Sequence, residues 1–422
     1  MKKIIIISPH FPPSNLAAVH RSRLFAQHLP EFGWEPIIVT VHERYYEEAL
    51  DYNLESLLPQ SLRIIKTKAI STKPLRLIGD IGLRAFYQLY KAVVKLIETE
   101  QIDFLYITIP SHFTALIGRL AHFKTGIKYG IDYIDPWVHQ WPGTEKKFSK
   151  HWWSMKIGEW LEPIAVKKAS LITGVALSYY EGVLERNTAL KTQVITASMP
   201  YGGEENDVKI LKKTKSKPYL FEKKNEILDF VYGGAMLPKA FKPLEMVMKA
   251  ISKAPNSFSN IRIHFIGSGK SPNDSHGFNI KKLAIKYNLW QTVFFEYPKR
   301  IPYLDVLTHL IAADGAFILG STEPHYTPSK VYQAALSQKP IFAILHSDST
   351  ACQIIEQSRV GIVLAFNGEN DLLAISNSFD NKWNSFLSFR SGFNAHTINA
   401  EYLEQYSAKA ATKILADALK KI

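Results

Sequence analysis

The chain of 422 residues has one cysteine, Cys352. A single thiol excludes an internal disulfide framework and a zinc site built on cysteines, and it fits a reducing compartment. Long apolar runs are missing as well. Ile4 to Ile7 is followed within a few residues by Pro9, Pro12 and Pro13, too short a run for a secretory leader of about 7–15 apolar residues. No stretch approaches the roughly 20 apolar residues that cross a bilayer. The glycines never fall into Gly-x-Gly-x-x-Gly after a strand, so the dinucleotide fingerprint is absent. Zinc-knuckle spacings and aromatic RNA-binding signatures are absent too, which ranks nucleic acid last among anionic partners.

What is present is material for real cores. Apolar residues make up 46% and charged residues 21%, which excludes wholesale disorder. The length points to two or three domains. Lysine and arginine exceed the acids by 13. The excess clusters: eight basic against three acidic residues over 63–100, and seven lysines against one glutamate over 209–224. Such clusters suit a solvated face, a nucleoside-diphosphate ligand or an anionic membrane surface. Two stretches read as surface-lying helices. Over 77–95 an apolar face is interleaved with Arg76, Arg84, Lys91 and Lys95; over 146–168 Phe148, Trp152, Trp153 and Trp160 accompany six lysines. Core helices with basic outer faces share that pattern.

Short β-branched runs alternate with helical spacing along the whole chain. Strands are expected at 3–8, 36–41, 62–66, 104–109, 128–132, 170–175 and 194–196, with helices between them. A polar, lysine-rich stretch over 200–225 reads as a connector, after which the alternation restarts. Strand–helix alternation implies βαβ units and parallel sheets. The expected fold is therefore α/β, two doubly wound domains facing a cleft. Ligands of such sheets bind at the carboxyl ends of strands, so the strand-to-helix loops carry the candidates.

Four loops stand out. Ser8 to Ala18 is proline-rich and ends in small residues, with Ser14 or Asn15 as candidate helix cap and Arg21 one turn on, facing a cleft or water. Asp132 and Asp135 stand three apart beside Pro136 and Trp137; they suit acid–base work, or Asp135 caps a helix. Gly233-Gly234 permits close backbone approach, with Lys239 and Lys242 placed to neutralise a diphosphate. Glu323 to Gln333 opens a helix at Thr327 or Ser329, a candidate anion site.

Phe11-Pro12-Pro13, Asp135-Pro136-Trp137 and Pro328-Ser329-Lys330-Val331-Tyr332 followed by Lys339-Pro340-Ile341 together resemble the retaining glycosyltransferases of family 4, over essentially the whole chain. The resemblance implies the GT-B fold: an acceptor-side domain over 1–203, a nucleotide-sugar domain over 204–399, and a terminal helix over 400–422 packed back on the first. It implies transfer of a sugar from a UDP- or GDP-sugar to a hydroxyl of a saccharide or lipid-linked saccharide, with retention, in polysaccharide or glycoconjugate assembly. No metal or cofactor is implied, and the expected location is cytoplasmic, with peripheral contact to an anionic membrane.

On that reading Asp135 and Lys239 are catalytic. The donor side comprises Gly233, Gly234, Lys242, Gly267, Tyr297, Glu323, His325, Tyr326, Ser329, Lys330, Val331 and Gln333. The acceptor side comprises Pro13, Asn15, Arg21 and His112. Gln333 and His325 stand where the family usually carries glutamates, and the arginines usual near Gly233-Gly234 and before Asp135 are absent. A nucleotide-sugar-binding protein without turnover and a nucleotide-sugar epimerase of the same architecture are the competing readings.

Overall fold

The computed structural model describes every residue except 77, 139–145, 215 and 324–329; of Pro238 only the backbone is described. The chain divides into two compact units, residues 1–202 with 408–422, and residues 203–407.

Unit one runs β1 (Lys2–Ile7), α1 (Ala17–His28), β2 (Trp34–Val41), β3 (Arg63–Thr67), α2 (Ile81–Thr99), β4 (Phe104–Ile109), α3 (Ala115–Thr125), β5 (Tyr129–Tyr133), α4 (Lys150–Val166), β6 (Leu171–Gly174), α5 (Leu177–Arg186) and β7 (Ile195–Ser198). Its strands form a seven-stranded parallel sheet in the order β3-β2-β1-β4-β5-β6-β7. The run Ile4 to Ile7 is buried on both faces, which is why it reads as continuously apolar rather than alternating. One face packs on Ala85, Leu89 and Val93 of α2, and the other on Phe25, Leu29 and Trp34.

Unit two begins with α6 (Glu205–Thr214) and continues through β8 (Leu228–Gly233), α7 (Phe241–Lys253), β9 (Ile261–Ile266), α8 (Lys281–Lys286), β10 (Phe294–Tyr297), α9 (Tyr303–Ala312), β11 (Gly315–Leu319), α10 (Lys330–Leu336), β12 (Ile341–His346), α11 (Thr350–Gln357), β13 (Gly361–Phe366), α12 (Leu372–Ser391) and α13 (Ala400–Glu404). The sheet order is β10-β9-β8-β11-β12-β13, again parallel. Trp383 and Phe386 of α12 pack on Phe230 and Phe342 at the centre of its core. Both units are thus doubly wound, and the strand order reverses between β1 and β4 in one and between β8 and β11 in the other.

Three local expectations change. The stretch read as a connector contains α6: Val208 and Leu211, three apart, bury one face, and acids at its start and lysines at its end complement the helix dipole. The terminal stretch is two helices, α13 in unit two and α14 (Ala408–Leu419) in unit one, where Leu415 and Leu419 join the cluster around Phe25 and Trp34. Neither Ser14 nor Asn15 caps α1. Leu16 occupies the cap without a side-chain bond, and the Ser14 hydroxyl donates to Glu48 instead.

Candidate functional site

In unit two the strand reversal places the ends of β8 and β11 side by side, where doubly wound sheets hold ligands. The chain leaves β8 through Gly233 and Gly234. Gly234 has φ +110°, a conformation that disfavours side chains, and its N–H donates to the Ile266 carbonyl at 2.7 Å. A Cβ there would lie 2.9 Å from Lys330 Cε. The glycine is therefore what lets Lys330 lie over the loop.

Lys330 Nζ donates to Tyr232 Oη at 2.6 Å and to the Ala235 carbonyl at 3.0 Å, and it stands 4.2 Å from the Tyr232 ring centre. Burial pushes its pKa down to about 7. No carboxylate is among these contacts, so an arriving anion meets an ammonium held, among the described residues, by neutral acceptors.

Lys239 and Lys242 flank the loop. Lys239 Nζ lies 2.9 Å from Glu323, and Lys242 Nζ 2.7 Å from Glu369. The Lys239 carbonyl accepts the Thr322 N–H at 3.2 Å, which ties the turn after β8 to the turn after β11. Both ion pairs are exposed. Such pairs contribute under about 1 kcal/mol, so a phosphate can replace either carboxylate at little cost.

Beside the loop lies a pocket of about 460 Å³, lined by Ala235, Met236, Phe241, Lys270, Asn279 and Arg300 together with Gly267 and Gly269. Small-molecule sites span about 300–1,000 Å³. Lys270 and Arg300 were not legible as site residues, because they come from a loop and a turn with no motif of their own. Gly267, at φ +71°, donates its N–H to the Tyr297 carbonyl at 2.8 Å. Only that backbone of Tyr297 belongs here; its hydroxyl donates to the Leu220 carbonyl at 2.6 Å. Val331 is fully buried and packs the core. Gln333, one turn into α10, is half-buried, and its side chain makes no hydrogen bond among the described residues. His325, Tyr326 and Ser329, with the helix start expected at Thr327 or Ser329, lie outside the described residues.

Unit one carries a second cluster at the ends of β4 and β5. Arg21 does not face a cleft or water. It is 3% exposed and grips Asp132 with two bonds, at 2.5 and 2.9 Å, while a third reaches the Met199 carbonyl at 2.7 Å. Thr173 also donates to Asp132, at 2.8 Å. Burial opposes the guanidinium's charge, but Asp132 overrides it and raises the pKa. Asp132 is thereby consumed.

Asp135 is not. It lies in a bend, not at a helix cap, and no side-chain partner is seen for its carboxyl among the described residues. Burial raises its pKa to about 6. His112 lies beside it, with Nε2 3.4 Å from the Asp135 carbonyl and its ring stacked on Trp137 at 5.8 Å. Burial lowers the imidazole's pKa, so it stands neutral near pH 7. A carboxyl titrating near neutrality beside a neutral imidazole can act as acid, base or hydrogen-bond partner to a hydroxyl.

In the loop after β1, Pro13 is buried and Asn15 half-buried. The Pro13 carbonyl accepts the Asp51 N–H at 2.7 Å. Glu48 lies 2.8 Å from His10 Nδ1 and accepts the Ser14 hydroxyl. Burial would raise the Glu48 pKa, but these partners reverse it to about 2. Glu48 escaped the sequence reading because nothing in its own stretch signals a partner thirty-odd residues earlier.

No protein-family model matches the sequence, and no curated protein matches it. Solved structures match along the whole chain. Sucrose-phosphate synthase from Thermosynechococcus elongatus is 15% identical, with a TM-score of 0.65 over 100% of this chain and 99% of that one. HepE of Anabaena in complex with UDP and glucose is 15% identical, with a TM-score of 0.61 over 100% of both chains. Trehalose-6-phosphate synthase OtsA is 10% identical, with a TM-score of 0.68 over 100% and 99%. At such identities the likeness speaks for the fold. It is the GT-B fold of two Rossmann-like units.

Proposed function

We propose that the protein is a glycosyltransferase that moves a sugar from a nucleotide-diphosphate-sugar, UDP- or GDP-linked, to a hydroxyl of a saccharide or lipid-linked saccharide. The observation that carries this reading is Lys330 lying over the Gly233-Gly234 turn at the strand reversal of unit two. A diphosphate at that turn accepts from the Lys330 ammonium and draws Lys239 and Lys242 from their glutamates. The adjoining pocket of about 460 Å³ takes the base and ribose, and Gln333 is free to bond a ribose hydroxyl. As the sugar–phosphate bond breaks, negative charge grows on the leaving diphosphate, and fixed cations stabilise it more than they stabilise the intact donor.

Asp135, with His112, serves the acceptor hydroxyl. The family 4 resemblance adds retention, independence of metal, and a place in polysaccharide or glycoconjugate assembly. HepE, solved with UDP and glucose, shares the fold and supports this donor class. Gln333, standing where the resemblance leads one to expect an acid, favours a second reading: binding without turnover. Release of nucleoside diphosphate in the presence of acceptor separates the two.

The test is calorimetric titration with UDP, GDP and their glucose conjugates, with magnesium or with EDTA. We expect one base class to bind regardless of metal, and Lys330→Ala to weaken that binding about 10–100-fold, the value of a hydrogen bond to a charged group. Because the lysine is charged below its pKa of about 7, affinity should fall as pH rises from 6 to 8.5, and Lys330→Arg should flatten that profile. Equal affinity in Lys330→Ala would remove the diphosphate assignment.

A further inference from the structure

The two stretches that read alike as surface helices are treated differently by the fold. In α2, Ile81, Ala85, Leu89, Val93 and Leu96 are buried in the core, leaving Leu83 and Tyr87 outside. In α4 the buried side is instead Gly158, Glu162, Ala165 and Val166. Gly158 sits against Trp137, where a Cβ would meet the ring at 3.0 Å, and Glu162 is held by Arg186 through bonds of 2.9 and 3.0 Å. While Leu161 packs partly on the core, four large apolar residues of α4 point away from the protein.

Those residues are Trp153, Ile157, Trp160 and Ile164. At 100° per residue they fall within an arc of about 60° and extend over about 16 Å of helix. Trp160 is 72% exposed and Trp153 50%; Ile157 and Ile164 are exposed as well. Lys150 and Lys156 border the stripe, each at about 60° from Trp153 on opposite sides, and Lys167 and Lys168 follow at the helix end. Glu159, further round, is paired with Lys156 at 2.6 Å. Before the helix, exposed Phe148 is held at φ +62° and packs on Trp152 and Trp153. The neighbouring α3 exposes Leu120 and Phe123, the latter at 81%, beside Lys124.

We infer that α4, with the exposed end of α3, is a docking face for an anionic phospholipid surface. A tryptophan–isoleucine stripe with lysines on both borders is what an interfacial helix presents: rings and branched chains enter the acyl boundary while the lysines reach back to the headgroups. A protein partner is the poorer fit. The lysine border demands continuous negative charge along both sides of the stripe, which an anionic leaflet supplies uniformly. Of the two basic helices, α4 makes the contact and α2 does not. The inference concerns lipid binding alone and stands whether or not the chain transfers sugar.

The test is co-sedimentation of the full chain with vesicles of phosphatidylcholine alone and of phosphatidylcholine with about one-third phosphatidylglycerol. Binding is expected to the second kind only, and to decline with added salt. Trp153→Ser with Trp160→Ser should reduce it at least about tenfold, as should Lys150→Glu with Lys156→Glu and Lys167→Glu. Leu83→Ser with Tyr87→Ser on α2 should leave it unchanged. All these positions are exposed, and unaltered circular dichroism and melting temperature would show that each variant folds. Undiminished binding by the tryptophan variant overturns the inference, as does absence of wild-type binding to the anionic vesicles. A dimer seen by light scattering that the tryptophan variant dissolves would reassign the stripe to self-association.

Discussion

Asp132 and Asp135 stand three residues apart at the end of one strand and have opposite roles. Asp132 neutralises Arg21 inside unit one; Asp135 keeps a carboxyl with no counter-charge among the described residues. Removing one partner of a buried pair strands the other, a loss of about 3–5 kcal/mol. Arg21→Met should therefore destabilise by about that much in urea unfolding. Replacing Asp132 as well should recover part of the loss. A variant that unfolds like the wild type but binds acceptor poorly would instead return Arg21 to the acceptor side.

For Asp135 the sign runs the other way. Its folded pKa of about 6 lies above the ordinary 3.8, so the fold favours the protonated acid. The stability carried by that form is complete below about pH 4 and is lost as pH rises through 6. Asp135→Asn should thus be more stable than wild type at pH 7–8, by about 1–3 kcal/mol, with no difference near pH 4. Its sugar transfer should fall about 10²-fold. Thermal unfolding across pH and a turnover assay check the two halves. The Asp–Pro–Trp stretch was visible in the sequence, but the division of labour was not, because Met199, which shares Arg21, arrives from 178 residues away.

At the scale of elements, the turn after β8 is the informative one. Gly234 combines a positive φ with a close neighbour, so alanine there is strained and pushes Lys330 aside. Gly234→Ala is expected to lower nucleotide affinity about tenfold or more, because the lysine that supplies the charge-assisted bond moves. Calorimetry beside Lys330→Ala would show whether the two losses are one loss, since residues acting as a unit do not add. The paired glycines and Lys239 were legible beforehand, but the reach of Lys330 across to Tyr232 and Ala235 was not.

Helices gave the less certain reading. Periodicity marked both α2 and α4, yet periodicity shows only that a helix has two faces. In α2 the apolar face is inward. In α4 a glycine, an alanine, a valine and an ion-paired glutamate are buried, Leu161 packs beside them, and Trp153 and Trp160 are left outside. Lysine content alone also hid α6, whose buried Val208 and Leu211 sit within a run that otherwise looks like a linker.

For the whole molecule, the sequence by itself determined the architecture. Runs such as Ile4 to Ile7 bury on both faces only inside a parallel sheet, and such runs alternating with amphipathic helices leave few choices besides doubly wound units. It also located the loops able to carry chemistry, since those follow strands. The tertiary structure decided what periodicity cannot encode. Strand order set which loop ends meet at the reversals between β1 and β4 and between β8 and β11. Long-range pairing decided that Arg21 serves the core, that Lys330 serves the Gly233-Gly234 turn, and that Trp153 and Trp160 of α4 face outward. The physical reason is the range of the interactions. Helix and strand preferences arise within a few neighbouring residues, whereas a buried charge finds its partner, and an apolar face its cover, only among residues that folding brings together from distant parts of the chain.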